Sequence, residues 1–563
     1  MGFCTCKRCV CFTAIAVVII GGTCLIYNIS RPSDECYAKA AVAADAEVCS
    51  KIGRDMLKRG GSAVDAAISA LLCVSLFNAH SIGIGGGVVF TIYDASTGKV
   101  ETINARETAP MSASENMFGE HPEKAKPGLF IAVPGELRGY ALAHKRHGRL
   151  QWEELFEPSI KLAEEGFRLS RSLAKAINWN KDIIMNDTTL CEVFCDSNNN
   201  PLKENDIIRF PKLALTYKKI AKEGPDVFYN GSLTQAIVDD IKAAGGIITR
   251  EDLLNYKPVL NEYALNFTVG KYIFHAPDAP FGGPVLALIL NILKGYNISS
   301  SSVSTIEKKT LTFHRMIEAF RFGFAYKSEL GDPQYENITF VQKMISESFA
   351  DHIRSQINDD TAKKESIDLD SAAHDDYGTS HLSVIAEDGS AVAVTSSINE
   401  HFGSNVMSHS TGIIFNDQMR DFDYTVLGKR LNKNNLIKAG KRPLSSKCPT
   451  IILHKDSREV RMVVGASGGP NITSATAQVI LDYLFFDYDL QKAVNEPRVH
   501  NQLSPSETFV EENIDESIIG GLKLKNHIII KAPSLGKVQA VVRQGNRICA
   551  ESDRRKGGRP AGY

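Results

Sequence analysis

The run Tyr377-Gly378-Thr379-Ser380-His381 contains one step that could do chemistry, Gly378–Thr379. A threonine hydroxyl is a poor nucleophile until a base takes its proton. A cut just before Thr379 would supply that base, because the freed α-amine would lie beside the hydroxyl. Glycine at 378 relieves crowding and permits unusual backbone angles there. Alone, the dipeptide is also what any loop entering a strand can contain. Further pieces follow in order: Thr395-Ser396-Ser397-Ile398-Asn399, then Pro443-Leu444-Ser445-Ser446, then Gly465-Ala466-Ser467-Gly468-Gly469. Each is bland by itself: a strand serine facing solvent, a Leu-Ser-Ser with no signal, a simple turn. Adjacent glycines can also aim backbone N–H groups at a developing oxyanion.

The ordered set resembles the gamma-glutamyltransferases, also called glutathione hydrolases. These N-terminal-nucleophile enzymes cut their own chain before a threonine and then use it as nucleophile. The resemblance runs from about residue 40 to the terminal Lys556-Gly557-Gly558-Arg559-Pro560-Ala561-Gly562-Tyr563, through blocks such as 288–295 and 318–323. It implies that Gly378–Thr379 is the scissile bond, opened by attack of the Thr379 hydroxyl, an N-to-O acyl shift and hydrolysis. The products would be a large subunit, 36–378, and a small catalytic subunit, 379–563. Ser397 stands where relatives usually carry a second threonine bonded to the nucleophile; serine keeps the donor and the acceptors. Gly468 and Gly469 match the family's oxyanion hole.

A γ-glutamyl substrate carries a free α-amine and a free α-carboxylate on one carbon. By the resemblance, Asn399 and Asp421 receive the ammonium, with Gln418 beside them at a position that is Glu in some relatives and Gln in others. Arg106, in Asn104-Ala105-Arg106-Glu107-Thr108-Ala109-Pro110, matches an arginine whose planar fork suits a carboxylate. Ser445 and Ser446 match serines that bind the same carboxylate. Without that context, Asp421 is a solvated carboxylate and Arg106 a surface cation. The implied reaction is cleavage of glutathione and glutathione S-conjugates through a γ-glutamyl-Thr379 ester. Water, an amino acid or a dipeptide would accept the acyl group, with no cofactor and no metal. The stretch 424–439 departs most from the family, where relatives carry a lid. Two other readings stay open: a different N-terminal-nucleophile acylase, in which Arg106 and Asp421 would be idle, and an uncut, non-catalytic ectodomain.

These residues need strands to hold them. From Thr379 the pattern predicts strands over 381–386 and 391–398, with Asp388-Gly389 at the turn. A hairpin fits 88–93 and 99–104. Strands also fit 450–453, 460–464, 509–510 and 538–543, and 258–274 is strand-like. Helices fit 40–58 and 62–76, broken at Gly60-Gly61, and also 158–165, 234–244, 285–293 and 474–485. The class is α/β, though pattern alone does not choose the topology; the resemblance implies a four-layer αββα sandwich of the N-terminal nucleophile hydrolase type. The polar stretch 366–377 reads as an exposed loop suited to a cut. Gly83-Ile84-Gly85-Gly86-Gly87 fails the dinucleotide spacing at Val88 and reads as a turn entering a strand. His381 reads as structural, since no Ser/His/Asp set accompanies it.

The 563 residues are 43% hydrophobic and 23% charged, with a net charge of −1. That is ordinary for a globular protein and lacks the basic excess of a nucleic-acid binder. The uncharged run 9–27 is long enough to span a membrane. Lys7 and Arg8 before it place the N-terminus in the cytosol. The expectation is a single-pass type II cell-membrane protein: cytosolic tail 1–8, transmembrane signal anchor 9–27, stalk 28–35, catalytic part outside. A cleaved signal peptide would have a shorter apolar region. Sequons at Asn186, Asn230, Asn266, Asn297 and Asn337 suit an external face; a sixth, Asn471, lies close behind Gly468-Gly469. Cys49 and Cys73 sit about equally far from the Gly60-Gly61 break. A helical hairpin brings them level and predicts a disulfide. Cys191 and Cys195 could close a small loop, and the resembling family pairs both sets. Cys36, Cys448 and Cys549 have no evident partners.

Overall fold

Residues 34–337, 339–362, 378–424, 432–503 and 506–563 are described by a computed structural model. The expected anchor at 9–27 and the loop at 366–377 lie outside them, as does 425–431 of the expected lid. Among the described residues no helix is long and apolar enough to cross a membrane.

Among the described residues, fourteen strands form the two main sheets. In chain order they are β1 (Glu35–Tyr37), β2 (Ala41–Ala43), β3 (Gly87–Asp94), β4 (Lys99–Ala105), β5 (Val259–Asn261), β6 (Leu265–Val269) and β7 (Tyr272–Ala276). Then come β8 (Gly378–Ile385), β9 (Ala391–Asn399), β10 (Thr450–His454), β11 (Val460–Ser467), β12 (Lys537–Gln544), β13 (Arg547–Ser552) and β14 (Ala561–Gly562). One sheet runs β14-β2-β8-β9-β3-β4-β5 and the other β1-β13-β12-β11-β10-β7-β6. All pairings within them are antiparallel.

Small and β-branched residues fill the space between the sheets: Ala41, Ala393 and Ile385 from one, Ile451, Val463 and Val541 from the other. Every residue of β8 and β9 is buried, because helices cover the outer face as well. Helices α1 (Glu47–Lys58), α2 (Ala63–Phe77) and α3 (Glu136–His147) cover the first sheet. Helices α4 (Gly283–Lys294), α5 (Ile306–Ala325) and α6 (Asn471–Leu484) cover the second. The result is the expected αββα layering. Helix α2 is apolar on all sides, and all its residues are buried. A reciprocal cap between Ser62 and Asp65 starts it, a contribution of about 1 kcal/mol.

The hairpin, the β8–β9 pair and the other predicted helices form within a few residues of expectation. Two readings need correction. The helix expected over 40–58 begins only at Glu47, and 41–43 form β2 instead. Ala43 pairs with Ser383 and Val42 with Ala561, partners too distant in sequence for local periodicity to reveal. The second concerns cysteine. Cys49 is bonded to Cys73 and Cys191 to Cys195, but Cys36 and Cys549 also have a partner, namely each other. They stand directly opposite on β1 and β13, 513 residues apart, and no spacing rule reaches that far. Cys448 is free and buried, its thiol pushed up to about 12 by burial. The asparagines at 186, 230, 266, 297 and 337 are exposed, whereas Asn471 is half-buried.

Candidate active site

The centre of the site is set by strand register. Thr379 of β8 pairs with Ser397 of β9, and the register shifts between Gly378 and Thr379. Directly paired residues project to one face, so the two hydroxyl oxygens lie 3.1 Å apart. Ser397 Oγ donates to the Gly378 carbonyl at 2.6 Å and accepts the Asn399 N–H at 2.9 Å. Glycine is required at 378: a Cβ there would lie 2.4 Å from the Asn399 carbonyl oxygen. The glycine run before β3 has the same cause, since a Cβ on Gly86 would lie 2.2 Å from the Ser397 carbonyl.

Arg106 follows β4 and is wholly buried. Its Nε donates to the Pro443 carbonyl at 2.7 Å and its Nη2 to the Leu444 carbonyl at 2.6 Å. Nη2 also meets Asp421 Oδ2, while Nη1 has no hydrogen-bond partner. The same Asp421 oxygen accepts from Gln418 Nε2 at 2.6 Å. Asn399 adopts a left-handed φ of 78°, which asparagine tolerates better than most residues. Its Oδ1 and Gln418 Oε1 are buried without donors. The structure thus sets an anion and a cation side by side with two unpartnered carbonyl oxygens. Ser445 and Ser446 follow the two carbonyls that hold Arg106. The Ser445 N–H donates to Pro280, and Ser446 Oγ accepts from Lys327 Nζ at 2.8 Å.

Gly468 and Gly469 directly follow β11, with φ of 120° and 56°. Their strand runs against β8, so close that a Cβ on Gly465 would lie 2.3 Å from the His381 ring. Helix α6 starts just after the pair, and the Asn471 and Ile472 N–H groups fold back onto the two glycine carbonyls. A helix N-terminus favours negative charge, so the pair sits in a locally positive backbone field.

His381 is structural. Its ring nitrogens meet Thr395 Oγ1 at 2.8 Å and Ser383 Oγ at 3.0 Å. Burial pushes it down to about 3, so the ring is neutral.

Sequence reasoning missed the residues that hold the site together. Asn416 Nδ2 donates to Gly85 and Ala132, and its Oδ1 accepts the Gln418 N–H. Asn435 joins the Asp421 carbonyl to the Leu444 N–H. Glu107 lies 3.8 Å from Arg106, its carboxyl pushed up by burial. Glu136 is bonded to Tyr140 and pushed up to about 8 by burial. Each is a single polar residue in an unremarkable local sequence, so no motif could have found it.

The family described as Gamma-glutamyltranspeptidase matches residues 49–563. Scoloptoxin SSD14 of Scolopendra dehaani is 42% identical over 531 residues, 93% of this chain and 92% of that protein. Glutathione hydrolase 5 proenzyme of Homo sapiens is 38% identical over 556 residues, 94% of each chain. The crystal structure of cephalosporin acylase from Bacillus halodurans superposes with a TM-score of 0.81, covering 95% of this chain and 97% of that one. At 23% identity this is a likeness of fold. With a family match over nearly every described residue and a close relative along almost its whole length, this chain belongs to the gamma-glutamyltranspeptidase family.

Proposed function

We propose that the chain cuts itself at Gly378–Thr379 and then cleaves the γ-glutamyl bond of glutathione and its S-conjugates through an ester on Thr379. The observation that carries this reading is the run of oxygens Thr379 Oγ1, Ser397 Oγ and Gly378 O. A serine hydroxyl has one proton to donate and two lone pairs. The proton goes to the Gly378 carbonyl, and one lone pair takes the Asn399 N–H. The remaining lone pair faces the Thr379 hydroxyl. The carbonyl to be attacked is therefore polarised by a charge-stabilising donor, and the attacking oxygen is held beside it.

In self-cleavage, Thr379 Oγ1 bonds to the Gly378 carbonyl carbon and the bond from that carbon to the Thr379 nitrogen breaks. The nitrogen takes the proton the hydroxyl gives up. Water then hydrolyses the ester, leaving a Gly378 carboxylate and a free α-amine on Thr379. In turnover that amine takes the hydroxyl proton while Oγ1 attacks the γ-carbonyl, and returns it to the leaving amine. Backbone N–H groups at Gly468 and Gly469 stabilise the oxyanion. Water or an acceptor amine then removes the acyl group.

The α-carbon of the substrate carries both charges, and Arg106 paired with Asp421 is the complementary couple. The unpartnered oxygens of Asn399 and Gln418 are suited to an ammonium, and the hydroxyls of Ser445 and Ser446 to the carboxylate. Glutathione as substrate is supported by the name of the human relative, glutathione hydrolase. The run 9–27 would anchor the catalytic part outside the cell, with glycans on the five exposed sequons.

The test is a reducing, denaturing gel with N-terminal sequencing of the wild-type chain and of Thr379→Ala, followed by glutamate release from glutathione. Two products, one starting Thr-Ser-His-Leu and absent in the variant, are expected. An uncut wild-type chain refutes the reading.

A further inference from the structure

The C-terminal segment after β13 sends one charge to the nucleophile. Lys556 Nζ donates to the Thr379 carbonyl at 2.6 Å and to Ser380 Oγ at 3.0 Å, and it pairs with Asp45 Oδ2 at 2.7 Å. An ammonium has three donors; two are directed at Thr379 and Ser380, and Asp45 lies beside it as an ion pair. The Lys556 side chain is 6% exposed and that of Asp45 wholly buried. Asp45, ahead of α1, is held in turn by Gln539 of β12. Lys556 thus reaches the main chain of Thr379, with Asp45 and then Gln539 behind it.

We propose that Lys556 is a positioning residue for Thr379, fixing its carbonyl and using its charge to keep the freed α-amine in the neutral form. This rests on the reading that Thr379 becomes a chain terminus. Bond lengths limit a residue's nitrogen to about 3.6 Å from its own carbonyl oxygen, so Nζ lies within about 6 Å of the Thr379 nitrogen. An α-amine ordinarily titrates near 7.7–8.0, and a like charge at such range disfavours its protonated form. A proton-accepting amine at neutral pH is what the nucleophile needs.

Asp45 offsets part of this field, and the other groups nearby leave the rest standing. Lys537 of β12 is buried and pushed down to about 8, first by burial and then by Lys556. His80 and His401 are held low by burial and are neutral. Asp553 is held low while paired with Arg498 and Arg555. Glu400, whose carbonyl lies against Gly378, and the Arg106–Asp421 couple complete the set. Asp45 is the anion in direct contact with Lys556, and it is the natural counter-test.

The experiment is the pH profile of kcat/KM on γ-glutamyl-p-nitroanilide, using full-length chains that have cut themselves. Lys556→Met should move the acidic limb up by about one pH unit and lower kcat more than it changes KM. Lys556→Arg should leave the limb in place. Asp45→Asn strips the counter-ion and should move the limb down. A Lys556→Met limb that coincides with wild type overturns the proposal, as does an Asp45→Asn limb that moves up or stays. If Lys556→Met does not cut itself, Asp45→Asn decides by the same criterion. An uncut wild-type chain would instead overturn the reading of Thr379.

Discussion

Ser397→Ala is the most searching perturbation of the proposed chemistry. The hydroxyl donates to the Gly378 carbonyl, accepts from the Asn399 N–H and contacts the Thr379 hydroxyl, all within 3.1 Å. Its loss has two separable consequences. The carbonyl loses a donor aimed at the oxygen on which charge develops, and removing one such donor slows reactions about 100- to 1,000-fold. The buried Asn399 N–H loses its acceptor, a cost of about 1–3 kcal/mol to folding. The variant should therefore fold with a lower Tm and accumulate as precursor. A time course on a reducing, denaturing gel measures the first effect, and thermal denaturation of the uncut chain the second. Ser397→Thr keeps donor and acceptors and should recover most of the rate. If Ser397→Ala matures with the wild-type half-time, the hydroxyl does not polarise the scissile carbonyl and the assignment fails.

Gly468→Ala forces a side chain onto a φ of 120° with its Cβ 3.0 Å from Gly536 Cα. It should cost about 1–3 kcal/mol of stability and reduce kcat more than it raises KM; wild-type kcat would remove the glycine pair from the oxyanion role. Cys36 precedes the proposed cut and Cys549 follows it, so the two products should run as one species on a non-reducing gel and as two after reduction. Cys36→Ser should give two in both, and a wild type that separates without reductant refutes the link. His381 is neutral when folded, at about 3, against an ordinary 6.5. The unfolded chain therefore binds the extra proton, and stability falls as pH drops from 6.5 towards 3. Between pH 7 and 5 this one ring accounts for about 2 kcal/mol. His381→Asn should flatten the pH dependence of stability by that amount, and an unchanged slope in denaturant titrations would refute it.

Much of the site was legible because its pieces are local. Gly378–Thr379, Ser397-Ile398-Asn399, Ser445-Ser446 and Gly468-Gly469 are short runs whose order along the chain carried the resemblance. The strands bearing the first two were legible from alternation around a two-residue turn, and that turn brings Thr379 opposite Ser397. Helix α2 was legible from a mostly apolar run behind the Gly60-Gly61 break. What was not legible depends on partners hundreds of residues away. Strand β2 looked like the start of a helix until β8 and β14 took its edges. Cys36 and Cys549 had no visible relation until β1 lay beside β13.

By itself, then, the sequence determined the class of fold and, through the order of its short motifs, the family resemblance that points to Thr379 and to residue types suited to an amino-acid end. Only the tertiary structure decided that Arg106 would be buried against Asp421 with its fork held by two carbonyls. Only there do Asn416 and Asn435 join the loops, and only there does Lys556 reach the Thr379 carbonyl. The reason is physical. Burying a charge or an amide is costly unless its partners are in place, and those partners come from segments that only the packing of two sheets and their helices brings together.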